Sequence, residues 1–105
     1  MNHSKKLIAV IGGGAAGYFA AIQAASESNR VIIFEKTGKV LTKVKVSGGG
    51  RCNVTHACEH ASQLVNFYPR GGKSLKKGFG KFAVKETVEW FESRGVKLKT
   101  EEDGR

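Results

Sequence analysis

Residues 7–35 limit the possible folds more than any other stretch. An apolar segment leads into a glycine turn, a segment of small residues follows, and a second apolar segment ends at an acid. The apolar residues 7–11 predict one strand and residues 31–35 predict another. The segment between them has the length of a helical crossover, so we expect the two strands to be parallel. The sequence therefore predicts an α/β fold that begins with a Rossmann-like βαβ unit over residues 1–36.

Three glycines of the motif occupy positions where a Cβ would hinder either the fold or the approach of a ligand. Gly12 permits a sharp exit from the strand, Gly14 lets the backbone approach a pyrophosphate, and Gly17 lets the helix lie close to the sheet. The helix that follows presents unpaired N–H groups and its positive dipole end to phosphates. Glu35 can accept hydrogen bonds from ribose hydroxyls, whereas a 2′-phosphate there would meet a like charge. The pattern predicts a site for a dinucleotide without that extra phosphate.

A membrane span or an export signal is the main alternative for the same stretch. Residues 7–25 contain no charge and follow Lys5 and Lys6. The glycines argue against both, since each costs about 1 kcal/mol relative to alanine in a helix interior. With only two cysteines, six residues apart, a disulfide framework is not expected. We therefore expect a cytoplasmic protein that does not bind membranes.

A second glycine loop follows at Ser47–Asn53, with the sequence SGGGRCN. Three successive glycines free the backbone to curl its N–H groups into an anion-binding nest. Arg51 adds a permanently charged donor fork and Asn53 adds an amide, both suited to a phosphate or to the carbonyl-rich ring of a flavin. On the residue pattern alone, a flexible connector remains the alternative.

The two glycine motifs together closely resemble those of the BaiN-type, or YhiN-like, family of NAD(P)/FAD-dependent oxidoreductases. The matching segments are VIGGGAAG at 10–17, the acid–lysine step at 35–36 and SGGGRCNVT at 47–55, and the resemblance continues through 67–73, 87–92 and 95–99. It implies a flavin-dependent oxidoreductase with FAD as cofactor and NAD(P)H as a candidate electron donor. His56 stands where the family usually has asparagine, so no role is assigned to that side chain.

By that resemblance the first motif holds the pyrophosphate, Glu35 holds the adenosine ribose, and the second motif lies against the flavin half. No catalytic residue and no metal ligand is assigned. The candidate cofactor-binding residues are Gly12, Gly13, Gly14, Ala15, Ala16, Gly17, Glu35, Lys36, Ser47, Gly48, Gly49, Gly50, Arg51, Cys52 and Asn53.

The rest of the chain predicts an incomplete domain. After the βαβ unit we expect the second glycine loop over 37–60, an irregular connector over 61–80, and a helix followed by the start of a hairpin over 81–105. Gly95 is expected to cap that helix, and the alternation over 96–100 predicts a strand. Two parallel strands do not make a stable sheet. We therefore expect the N-terminal part of a larger enzyme, inactive alone, whose missing portion binds a small-molecule substrate.

Charge gives a competing hypothesis. Residues 36–85 hold eleven lysines and arginines against Glu59 alone, which accounts for the formal net charge of +9. Such a block is compatible with a basic nucleic-acid-binding module, but that class explains neither glycine motif, so no specific nucleic-acid partner is expected. An NAD-dependent dehydrogenase is a further alternative, and it leaves the second motif unexplained.

Two minor hypotheses concern residues 52–60. Cys52, His56, Cys58 and His60 supply enough ligands for zinc, but their spacing matches no standard zinc framework. We expect the two histidines to share one face of a short exposed helix instead. A redox role for Cys52 is also disfavoured, since the chain has no CxxC partner.

Overall fold

The computed structural model describes residues 4–105, which form two compact units, one that ends at Asn53 and one that spans Val54–Arg105. Residues 1–3 of the predicted βαβ unit lie outside the described residues. Few hydrophobic side chains are buried in the described part of the chain. They are Ala21 in the first unit and Leu64 in the second.

The first unit contains the predicted βαβ arrangement. Strand β1 spans Lys6–Ile11, helix α1 spans Ala15–Ala24 and strand β2 spans Asn29–Phe34. The strands are parallel, in a register that pairs Ile8 with Val31 and Ile11 with Phe34. This confirms an α/β fold with a parallel sheet. The uncharged segment 7–25 is thus a strand, a turn and a ten-residue helix, and nowhere in residues 4–105 is a helix long and apolar enough to cross a membrane.

Gly17 brings α1 close to the sheet. A Cβ at Gly17 would overlap the carbonyl oxygen of Gly12, lie 3.1 Å from its carbonyl carbon and lie 3.5 Å from Cγ1 of Val10. The sequence predicted this close approach, and the structure confirms it.

The sheet of the first unit has two strands, fewer than a doubly wound fold needs. Large apolar side chains of those strands remain exposed: Leu7 is 67% exposed, Ile11 82% and Phe34 53%. In a complete sheet of this type both faces are covered. The described sheet is therefore incomplete, as predicted.

After β2 the chain forms a short helix, α2, at Thr42–Val46 and then a turn at Ser47–Gly50. The spacing of the valines at 40, 44 and 46 is compatible with a strand or with a short helix. The structure contains the helix.

The second unit contains three helices and a 3₁₀ turn. They are α3 at Ala61–Leu64, the 3₁₀ turn at Val65–Phe67, α4 at Gly72–Phe79 and α5 at Val84–Glu92. The prediction of an irregular connector over 61–80 was therefore wrong. That prediction was based on the low helix propensity of glycine. Glycine is present at position 72 because the helix packs closely: a Cβ there would lie 2.7 Å from the carbonyl oxygen of Val65. Close packing here outweighs propensity.

Helix α5 has defined ends. The Ala83 N–H donates to the Glu86 carboxylate at 2.9 Å, which is half of a capping box and lowers the pKa of Glu86. At the other end, Gly95 has φ +83° and its N–H donates to Glu92, while the Val96 N–H donates to Phe91. These two bonds form a Schellman motif, so Gly95 is the predicted cap.

The predicted strand over 96–100 was wrong. Within residues 4–105 the described strands are β1 and β2, and residues 96–100 have no regular structure. The turn that follows does form, with the Gly104 N–H donating to Glu101 at 3.0 Å. An alternating segment becomes a strand only when a second strand pairs with it.

The predicted helix carrying His56 and His60 was also wrong. Residues 53–58 have no regular structure, and α3 begins only at Ala61. His56 instead stacks on Phe67, with ring centroids 3.6 Å apart, while the backbone N–H of Ala57 donates to Gly104 at 2.7 Å.

Candidate functional site

The turn between β1 and α1 is held by backbone hydrogen bonds and by one carboxylate. Gly12 has φ +103°, a conformation that favours glycine, and its N–H donates to the Phe34 carbonyl at 2.7 Å. The next N–H, that of Gly13, donates to Oε1 of Glu35 at 3.1 Å. The turn is therefore fixed by the end of β2 and by the residue that follows it.

Gly13 is buried, and there is a steric reason for glycine at this position that was not predicted from the sequence. A Cβ at this position would lie 2.9 Å from Cγ1 of Val40 and 3.2 Å from Cβ of Glu35. Val40 is distant in sequence and reaches the turn only through the fold. No local signal in the glycine motif indicates this contact.

The start of α1 is open to a ligand. Gly14 is its N-cap, no side chain caps the helix, and its first turn contains no acidic residue. A Cβ built on Gly14 would have no atom within 4 Å. The N–H groups of the first helical turn have no intrahelical acceptors, and they carry the positive end of the helix dipole. This arrangement can bind an anion.

Glu35 directly follows β2 and is half-buried. Its Oε2 accepts the hydroxyl and the N–H of Thr37, each at 2.7 Å, in addition to the bond from Gly13 to Oε1. These bonds favour the ionised form, so the Thr37 hydroxyl, the Thr37 N–H and the Gly13 N–H lower the pKa of Glu35, in that order. A carboxylate offers about four acceptor positions, so acceptor capacity remains for a ligand hydroxyl.

The loop after β2 closes over the turn. The Leu41 N–H donates to the Gly13 carbonyl at 2.8 Å, and Leu41 has the left-handed φ of +55°. A residue other than glycine seldom adopts this conformation. The backbone bond and the Val40 contact together hold the loop against Gly13.

These elements enclose a cleft of about 500 Å³. It brings together five of the predicted residues and six that were not predicted, of which Thr37, Lys39, Thr42 and Lys43 are polar. The other predicted residues of the first motif, Gly12, Ala16 and Gly17, do not line it. The lining residues are Gly13, Gly14, Ala15, Glu35, Lys36, Thr37, Lys39, Leu41, Thr42, Lys43 and Val44.

The second glycine motif forms an irregular left-handed turn and does not line this cleft. Gly48, Gly49 and Gly50 have φ values of +59°, +65° and +90°, and Cys52 has +60°. The Cys52 N–H donates to the Ser47 carbonyl at 3.0 Å, which closes the loop. The motif is thus neither a continuous helix nor an extended connector.

Side chains of this second loop are partly engaged within it. The Ser47 hydroxyl donates to the Val44 carbonyl at 2.9 Å. A Cβ at Gly48 would lie 2.9 Å from the amide carbon of Asn53, so that glycine leaves space for the Asn53 side chain. Cys52 is exposed, and both cysteines are free thiols. Within the described residues no group of three or more histidine, cysteine or acidic side chains is arranged to hold a metal ion.

Comparison with known families adds to this geometry. Residues 6–105 match the family model described as the HI0933-like protein Rossmann domain. The chain belongs to this family. The family resemblance inferred from the two glycine motifs is thereby confirmed, and so is the Rossmann fold class.

Two relatives match most of the chain. A 3-dehydro-bile acid delta(4,6)-reductase of Clostridium scindens is 37% identical over 95 residues, which are 89% of this chain and 22% of that protein. A ribosomal RNA dihydrouridine synthase of Escherichia coli is 34% identical over 83 residues, which are 77% of this chain and 18% of that protein. The chain thus spans about a fifth of the length of these relatives. It is an HI0933-like Rossmann domain related to a named reductase.

Proposed function

We propose that the chain is the FAD-binding segment of a flavin-dependent oxidoreductase. The observation that carries the proposal is the cleft in which the open start of α1 and the Glu35 carboxylate lie together. An adenine dinucleotide presents a pyrophosphate and a ribose diol, and these two features can bind such groups.

The pyrophosphate half of the proposal depends on backbone groups. Gly14 leaves open space where any other side chain would project, and no acidic side chain is in the first turn of α1. Helix N–H groups that lack a protein acceptor can then donate to phosphate oxygens. The same cleft is lined by Lys36, Lys39 and Lys43, which add positive charge. Glu35 is the carboxylate among its lining residues.

The ribose half depends on Glu35. Thr37 and Gly13 orient its carboxylate and keep it ionised, so it remains an acceptor at neutral pH. The ribose hydroxyls would donate to its remaining acceptor positions, and a 2′-phosphate would be repelled.

The second glycine loop is proposed to lie against the flavin half. Its left-handed glycines and its arginine and asparagine side chains supply donors for phosphate or ring oxygens. When bound, the flavin supplies the electron-transfer chemistry, and the protein binds and orients it. One relative is named a reductase, and dihydrouridine in the other name is a reduced base. We therefore propose a reduction, with NAD(P)H as electron donor and with substrate contacts in a longer form of the protein.

A cytoplasmic location is part of the proposal and is supported by the two free thiols. Fractionation of cells that express the protein with its natural flanking sequence tests it. Recovery from an exported fraction would contradict it.

The binding test is a titration of the protein into FAD, followed by flavin fluorescence and by the visible absorption spectrum. We expect saturable binding, competition by ADP, and an affinity at least tenfold weaker in Gly14→Val, whose side chain would fill the space for the pyrophosphate. Far-UV circular dichroism checks that this variant is folded.

The matched control is Gly78→Val. A Cβ at Gly78 also has no atom within 4 Å, but the residue does not line the cleft, so FAD affinity should stay within about twofold. Binding of NADH in place of FAD would support a dehydrogenase instead. Equal losses in the two variants would contradict the proposed role of Gly14.

A further inference from the structure

We infer that the exposed cationic side of α4 is a docking surface for single-stranded RNA. The inference rests on the proposed oxidoreductase function. A relative named a ribosomal RNA dihydrouridine synthase shares 34% identity over 83 residues of this chain, which makes RNA a candidate partner of such a protein. It adds a binding surface separate from the dinucleotide cleft. We call it the α4 surface and define it by Arg70, Lys73, Lys76, Lys77 and Lys81.

The first argument is the arrangement of charge. Lys73, Lys76 and Lys77 follow the i, i+3, i+4 spacing, which places them on one side of a helix. Arg70 and Lys81 flank the two ends of α4, and all five residues of the α4 surface are exposed. Three of these cations therefore share one side of α4 once residues 72–79 are helical, and the other two lie next to its ends.

The second argument is that the protein itself does not neutralise these cations. Residues 60–85 contain no aspartate or glutamate. The ion pairs of Lys99 with Glu101 and of Arg105 with Asp103 lie outside this segment. Acidic side chains of this segment therefore cannot pair with the five cations, and the α4 surface is available to a polyanion.

The third argument is the orientation of α4. Gly72 lies against the Val65 carbonyl, and the Phe79 ring packs on Tyr68 with centroids 5.3 Å apart. Phe79 is therefore packed within the unit, and Leu75, 38% exposed, is the large apolar side chain of α4 that stays accessible. Helices that lie on membranes insert their apolar side into the bilayer. The packing consequently favours a phosphate backbone over a lipid surface.

The fourth argument is the presence of aromatic rings beside the cations. Tyr68 is 37% exposed and Phe82 is 39% exposed, one before α4 and one after it. Unpaired bases stack on such rings, whereas bases inside a duplex cannot reach them. The combination of cations and exposed rings fits single-stranded RNA.

The test is fluorescence anisotropy of a labelled 20-nucleotide single-stranded RNA of mixed sequence, titrated with the protein at several salt concentrations. Binding that uses all five cations should fall roughly a hundredfold between 50 and 200 mM salt, since each phosphate contact contributes about 0.7 to the logarithmic slope for single strands. In K73Q/K76Q/K77Q that slope should decrease by about 2, and the affinity at low salt should fall at least tenfold.

The control variant, K5Q/K6Q/K97Q, removes the same charge from exposed lysines outside the α4 surface. Its RNA affinity should stay within about twofold. Equal losses in both triple variants would show that only net charge matters and would overturn the inference. Binding to vesicles with 30% phosphatidylserine that requires the α4 lysines, without RNA binding, would overturn it in favour of a membrane.

Titration of FAD into the same preparations separates this inference from the proposed function. We expect K73Q/K76Q/K77Q to bind FAD like the unmodified protein. FAD binding without RNA binding would refute the docking surface alone. RNA binding without FAD binding would refute the flavoprotein proposal alone.

Discussion

Replacing Gly17 with alanine should destabilise the first unit through a single methyl group. The new Cβ would overlap the Gly12 carbonyl oxygen and lie 3.1 Å from its carbonyl carbon, both of which are backbone atoms. Neither can rotate away, so α1 would have to move from β1. Overpacking of this kind costs about 1–3 kcal/mol, and the upper end applies where backbone atoms collide. The greater helix propensity of alanine returns up to about 1 kcal/mol. We expect a net loss of about 2 kcal/mol.

Urea denaturation followed by far-UV circular dichroism measures this effect. With a dependence on urea of about 1 kcal/mol per molar, the unfolding midpoint should fall by about 2 M. The matched variant is Gly14→Ala, because Gly14 has an ordinary φ of −92° and a Cβ there would have no atom within 4 Å. Its loss should stay below about 1 kcal/mol. A Gly17→Ala protein as stable as Gly14→Ala would refute the argument.

Three further predictions concern other parts of the chain. Hydrogen bonds from Thr37 and Gly13 lower the folded-state pKa of Glu35. Their contribution to the free energy of unfolding should therefore be complete at a pH above the usual glutamate pKa, and it should be lost as the pH falls through the lowered pKa. The Gly13 amide resonance should report this transition, and Glu35→Gln should abolish it; a midpoint like that of a free glutamate would contradict the bonds. Gly95→Ala should cost about 1 kcal/mol, since φ is +83° there, and lower the melting temperature by several degrees, whereas an unchanged temperature would argue against the Schellman cap. Cys52→Ser should keep FAD affinity within about twofold, because the second glycine loop is proposed to act through backbone N–H groups, Arg51 and Asn53, and serine keeps the backbone; a tenfold loss would show that the exposed thiol itself contacts the cofactor.

The βαβ unit could be predicted because its signals are local. The strand, the turn glycines and the helix follow one another within 30 residues, and each restricts its neighbours. The predicted strand 31–35 was displaced by only two residues at its start and one at its end, since β2 spans Asn29–Phe34. The cap at Gly95 is equally local and was predicted as well.

The errors and omissions have a common physical cause, which is dependence on residues distant in sequence. Helix α4 contains glycine because Gly72 packs against Val65, and glycine's low propensity concealed the helix. The segment 96–100 alternates like a strand but has no second strand to pair with among the described residues. The cleft residues Thr37 and Leu41 belong to no recognised pattern, and only the hydrogen bonds to Glu35 and Gly13 place them.

The peptide groups on both sides of Gly13 are fixed by partners that come much later in the chain. The N–H is held by Glu35 and the carbonyl by Leu41. A peptide that stops at Phe34 would contain every glycine of the first motif and still lack these two anchors. During synthesis, the proposed cofactor could therefore bind only after the chain beyond β2 has emerged and folded back over the turn.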